Sequence, residues 1–113
     1  MFKRNIAEHL LKVASQFPVV TVTGPRQSGK TTLVKDLFPD KPYVNLEELE
    51  LRQFAQNDPK AFLAFYKDGA VIDEAQYAPE LFSYIQVRVD NKDRAGEFIL
   101  TGSQNFLMME KIT

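Results

Sequence analysis

The stretch Val19-Val20-Thr21-Val22-Thr23-Gly24-Pro25-Arg26-Gln27-Ser28-Gly29-Lys30-Thr31-Thr32 decides the fold. It opens on five β-branched residues, which suit a strand. Gly24 to Thr31 then fit G-x-x-x-x-G-K-T, the phosphate-binding loop pattern, and a helix start follows. Gly24 lets the chain leave the strand at dihedrals other residues avoid, and Gly29 lets backbone approach phosphate oxygens closely. Successive N–H groups form a concavity for an anion, and the helix adds unpaired donors and its positive dipole end. Lys30 would reach the β- and γ-phosphates, and the Thr31 hydroxyl would ligate Mg²⁺. The run Gly24, Pro25, Arg26, Gln27, Ser28, Gly29, Lys30, Thr31 and Thr32 is therefore the candidate nucleotide-binding segment. Arg26 sits at the loop tip, where solvent, phosphate and a neighbouring subunit are all open to it. At average residue usage a chance match in so short a chain has odds of roughly one in a few hundred.

The whole chain is 113 residues, the size of one small domain. At 44% hydrophobic and 26% charged it has the composition of a globular protein with a small core. The net charge of −1 argues neither for nor against nucleic acid. The absence of cysteine excludes disulfides, thiol catalysis and Cys-ligated zinc, and suits a reducing compartment. No apolar run reaches membrane-spanning length, and charge follows Met1-Phe2 too soon for a signal peptide. A cytoplasmic location without a membrane partner is the expectation.

Residues 3–17 place Ile6, Leu10, Val13, Ala14 and Phe17 at helical spacing, and Pro18 ends that helix. His9, the single histidine, reads as solvated or capping. Residues 32–38 continue as a helix with Leu33, Val34, Leu37 and Phe38 in one stripe. A short strand is expected at 43–46, and a helix at 47–56 with Leu51, Phe54 and Ala55 inward. Asp58-Pro59 reads as an N-cap followed by proline at the first helical position. That helix runs to about Tyr66 and buries Phe62, Leu63 and Tyr66. Lys67-Asp68-Gly69 is a turn, and Ala70-Val71-Ile72 is a continuous apolar run suited to a buried parallel strand. Pro79 opens a helix with Leu81, Ile85 and Val89 on one face. The polar run 90–96 ends it, and 98–101 is the fourth strand.

Two strand ends carry chemistry. Ala70-Val71-Ile72 ends in Asp73-Glu74, which behind a phosphate loop reads as the second nucleotide motif. Asp73 would hold Mg²⁺, directly or through water, and Glu74 would be the general base for an attacking water. The fourth strand ends in Thr101-Gly102-Ser103-Gln104-Asn105. Ligands of open α/β sheets sit beyond the carboxyl ends of the strands, where Gly24, Asn45, Asp73 and Thr101 all fall. Thr101 and Ser103 divide between ordinary turn chemistry and γ-phosphate sensing.

Gly24-Pro25-Arg26-Gln27-Ser28-Gly29-Lys30-Thr31, Val71-Ile72-Asp73-Glu74-Ala75-Gln76 and Ile99-Leu100-Thr101-Gly102-Ser103-Gln104 together resemble bacterial and archaeal ATPases of the AAA superfamily. The resemblance is to the group usually followed by a long C-terminal domain of unknown function. It covers nearly the whole chain, including Asn45-Leu46-Glu47 and Asp58-Pro59. It implies a P-loop ATPase using ATP and Mg²⁺, with Thr31, Asp73 and Glu74 as catalytic groups and the region 101–103 as sensor. It also implies a three-layer α/β P-loop NTPase fold, helices on both faces, and a parallel sheet in the order 43–46, 70–73, 98–101, 19–23 (2-3-4-1). The family's next strand, finger arginine and helical lid would lie past Thr113, so residues 1–113 would be the N-terminal part of the domain, truncated at its C-terminus. ATP and ADP are the expected ligands, a homo-oligomer is possible, and no nucleic-acid or protein target is indicated. A kinase-type phosphotransferase and a nucleotide-dependent interaction module without hydrolysis remain as alternatives.

Overall fold

The computed structural model describes residues 4–23, 29–92 and 94–102. Along the chain they form α1 (Arg4–Ala14), β1 (Val19–Thr23), α2 (Lys30–Leu37), β2 (Tyr43–Asn45), α3 (Leu49–Asn57) and α4 (Pro59–Phe65). Then come β3 (Ala70–Asp73), one 3₁₀ turn (Ala75–Tyr77), α5 (Leu81–Lys92) and β4 (Phe98–Gly102). The strands make one parallel sheet in the order β1-β4-β3-β2, which is the expected 2-3-4-1 arrangement.

A parallel sheet is covered on both faces, so its strands carry apolar residues without alternation. Ala70–Asp73 and Phe98–Gly102 are buried at every position. Val20, Val71 and Ile99 face one side, against Leu10 and Ala14 of α1 and Val34 of α2. Val44, Ile72, Phe98 and Leu100 face the other, against Ala55 of α3, Phe62 and Leu63 of α4, and Leu81, Ile85 and Val89 of α5. Three layers result: two helices, the sheet, three helices. Each fully buried large side chain contributes about 1.5–3 kcal/mol. β1 has only β4 as a neighbour among the described residues, and its burial falls away toward Thr23.

The helix boundaries shift for local reasons. α1 stops at Ala14 rather than at Phe17. The Ser15 hydroxyl donates to the Lys12 carbonyl at 2.6 Å and draws the chain into a turn, while Pro18 excludes helical dihedrals at Phe17. Its apolar stripe is buried at Leu10 and Ala14, but Ile6 and Phe17 stay exposed. α2 begins two residues earlier than expected, with Gly29 as its left-handed N-cap at φ 91°. In α3, Ala55 is buried and Leu51 packs on the core, whereas Phe54 is 37% exposed and meets Phe62 edge-on at 5.4 Å. Asp58 caps α4 as expected: its carboxylate accepts from the Ala61 N–H at 3.1 Å, with Pro59 behind it. No described helix is long and apolar enough to cross a membrane.

Candidate functional site

The carboxyl ends of β2, β3 and β4 lie side by side, with Asn45 in register with Asp73. The helix after β1 packs on one face of the sheet and the helix after β3 on the other. Connections that part in this way open a crevice at the strand ends.

Asp73 closes β3 and is 1% exposed. Side chains alternate along a strand, so Asp73 shares its face with Val71, the face that α2 covers. Thr31, in the first turn of α2, donates its hydroxyl to Asp73 Oδ2 at 2.6 Å. The Tyr43 hydroxyl, from the start of β2, donates to the same oxygen. The Thr101 hydroxyl donates to Oδ1 and accepts the Glu74 N–H at 3.0 Å. One buried threonine thus ties the two acidic residues together. Burial, with the hydrogen bond to Asp73 second, holds the Tyr43 phenol well above its ordinary range. Tyr43 is therefore a proton donor to the carboxylate throughout the physiological range.

Glu74 leaves the strand at φ 57° and ψ 49°, the one non-glycine positive φ among the described residues. That conformation breaks the strand alternation and lays the glutamate into the turn beyond β3. Its side chain is buried and accepts from Gln76 Nε2 at 2.8 Å. Lys30 is the first residue of α2, after Gly29, and is 3% exposed. Thr32, one position past Thr31, is exposed. Asn45 serves a turn: its Oδ1 accepts from the Glu47 N–H at 2.9 Å.

Lys30, Thr31, Asp73, Glu74 and Thr101 are thus gathered at one end of the sheet, as the sequence predicts. Gly24, Pro25, Arg26, Gln27, Ser28 and Ser103 lie outside the described residues. Sequence reasoning missed two neighbours. Tyr43 reads as an ordinary strand residue, though an aromatic hydroxyl two positions before a strand end is a usable signal. Gln76 reads only as part of the acidic motif. A groove of about 640 Å³ lies elsewhere, between α1 and the open side of β1. Its walls include Leu10, Val13 and Val20, and it holds none of the acidic or hydroxyl groups above.

A four-stranded parallel sheet covered by helices on both faces, with a lysine–threonine helix start against a strand-end Asp-Glu pair, defines a P-loop NTPase. Within that class the chain belongs to the AAA domain family, which matches residues 16–113. The family is one of nucleotide-binding, ATPase-type domains. The chain is also 34% identical over 102 residues to the uncharacterized protein Mb2031c of Mycobacterium bovis and to the uncharacterized protein Rv2008c of Mycobacterium tuberculosis. The match takes in 89% of this chain and spans 23% of the length of either relative.

Proposed function

We propose that this chain binds ATP with Mg²⁺ and that the protein hydrolyses it to ADP and phosphate. The observation that carries the reading is the 2.6 Å hydrogen bond from Thr31 to Asp73. It joins the start of the phosphate-loop helix to the end of the acidic strand, two elements remote in sequence. A hydroxyl and a carboxylate side by side are hard oxygen donors, and Mg²⁺ is usually held by one or two such groups plus water and substrate phosphates. No cluster of three or more acidic, histidine or cysteine residues that could hold a metal exists among the described residues. A cation shared with the triphosphate fits this donor set better than a cation held by protein alone.

Thr31 and Asp73 would hold the Mg²⁺, and Lys30 would set its ammonium group against the β- and γ-phosphates. When bound, the cation draws off the negative charge that builds up on the phosphates. Tyr43 and Thr101 fix the Asp73 carboxylate from both of its oxygens, so it is oriented before the ligand arrives. Glu74 accepts a proton from the attacking water, and Thr101 holds the Glu74 backbone through its N–H. Acting on water rather than on an acceptor hydroxyl, Glu74 would make the reaction a hydrolysis.

Phosphate release from MgATP, measured with and without candidate acceptors, tests the reading. The expected result is acceptor-independent release, with Glu74→Gln lowering it by roughly 10²-fold or more while MgATP binding is kept. Unchanged turnover in Glu74→Gln would remove Glu74 as the base. Release only with an acceptor would make the protein a phosphotransferase.

A further inference from the structure

We infer that Gln76 is the positioning residue for Glu74, an inference that rests on the hydrolysis proposed above. Three observations meet at this side chain. The first is the contact itself: Gln76 Nε2 donates to Glu74 Oε1 at 2.8 Å. The amide orientation is fixed by charge, since the reverse placement would set a carbonyl oxygen against a carboxylate. The second is strain. Glu74 is held in the left-handed region, where a non-glycine residue persists only when its surroundings over-determine it, most often at a functional site. The third is the far end of the amide. Gln76 Oε1 is buried and has no hydrogen-bond partner among the described residues. A buried, unpaired carbonyl oxygen is destabilising, and an apolar side chain of the same length would avoid it. Among the described residues, the contact of Nε2 with Glu74 is thus the one hydrogen bond that the Gln76 amide makes.

The element carrying Gln76 is suited to the task. The 3₁₀ turn is pinned by its buried flanks Ala75 and Ala78 and packs against β4. From α3, Gln56 Nε2 donates to the Tyr77 carbonyl at 2.6 Å, and the Arg52 guanidinium lies 4.1 Å over the Tyr77 ring. Glu74, whose own backbone has turned out of the strand, is therefore aimed by a side chain on an anchored turn two residues further on.

The test is a double-mutant cycle on ATP turnover and MgATP affinity. Gln76→Met keeps the length and removes the donor. Its kcat should fall on the order of 10- to 100-fold, the scale of a misplaced catalytic group, with the MgATP dissociation constant within about twofold of wild type. Placed in Glu74→Gln, the same change should alter turnover by less than about twofold, because the group it positions is already gone. Gln76→Glu, which sets a second carboxylate against Glu74, should fall at least as far as Gln76→Met and guards against a packing artefact of methionine. Wild-type turnover in Gln76→Met, or an equal fall in both backgrounds, would overturn the assignment. So would a fall in affinity that matches the fall in kcat. If the unmutated protein releases no phosphate from MgATP, the hydrolytic reading itself fails, a result distinct from these.

Discussion

The two ends of the sheet each bury a carboxylate, and they hold it differently. At the carboxyl ends of the strands, Asp73 accepts from the hydroxyls of Thr31, Tyr43 and Thr101. At the amino ends, Glu97, 2% exposed just before β4, accepts from Arg88 Nε at 2.8 Å and Arg94 Nη2 at 2.9 Å. Arg88 also donates to the carbonyls of Leu63, Tyr66 and Lys67 at 2.5–2.6 Å. It thereby ties α5 to the exit of α4. Gly69 lies against the Glu97 carbonyl so closely that a β-carbon there would fall 1.8 Å from the oxygen. A guanidinium fork has fixed geometry and fixed charge, whereas a hydroxyl is a rotor that can turn its proton away and offer a lone pair. The amino-terminal end is thus built to keep its shape. The carboxyl-terminal end is built from donors that can be redirected when a ligand arrives.

The largest expected effect breaks the shape-keeping end. Arg88→Ala leaves the Glu97 carboxylate on Arg94 alone and removes the side-chain donor that joins the Leu63, Tyr66 and Lys67 carbonyls to α5. Removing one partner of a buried pair costs about 3–5 kcal/mol, visible as a lower denaturant midpoint. Nucleotide affinity of the protein that remains folded should be unchanged. A parallel loss of affinity would show that the two ends are not separate.

Lys30→Ala acts on the other end. Triphosphate affinity should fall by about 2–4 kcal/mol, the scale of a desolvated charge contact, while adenosine affinity changes little. Comparative titrations with ATP and adenosine check this. Equal losses for both ligands would mean that the lysine supports the loop rather than the phosphates.

Tyr43→Phe is the smallest change and the finest probe. It deletes one donor to Asp73 and keeps the ring, including the contact with Lys35 Nζ at 4.7 Å. A loss of about 1 kcal/mol is expected. Because the phenol is held above its ordinary value of 10.0, the folded state keeps the proton longer than the unfolded chain does. The Tyr43 contribution is therefore complete below about pH 10 and is lost as the pH rises beyond it. Unfolding curves recorded from pH 8 to 11 should show a shallower alkaline decline in Tyr43→Phe than in wild type.

What the sequence reveals follows from how local each signal is. The strands at Ala70–Asp73 and Phe98–Gly102 are legible because burial on both faces writes uninterrupted apolar runs. The α4 cap is legible because Asp58-Pro59 is a two-residue signal. The placement of the candidate site at the strand ends is legible where a motif fixes spacing, as at Lys30, Thr31, Asp73 and Glu74. The Arg88–Glu97–Arg94 cluster is hidden because charged residues on a helix and around the polar run after it read as a solvated surface. Only the fold brings the Leu63, Tyr66 and Lys67 carbonyls to Arg88. Tyr43 is hidden for a related reason: its partner lies on the neighbouring strand, and the β2–β3 register that joins them is not written in either segment alone.

The most direct test of the central claim, that Thr31 and Asp73 form the cation end of a nucleotide site, is calorimetric titration of ATP in Mg²⁺ and in EDTA. Wild-type protein and Asp73→Asn are compared side by side. The expected result is that Mg²⁺ tightens ATP binding in wild type, and that Asp73→Asn loses this gain while keeping the metal-free affinity. ATP binding that is indifferent to Mg²⁺ in wild type, or a full Mg²⁺ gain in Asp73→Asn, would contradict it.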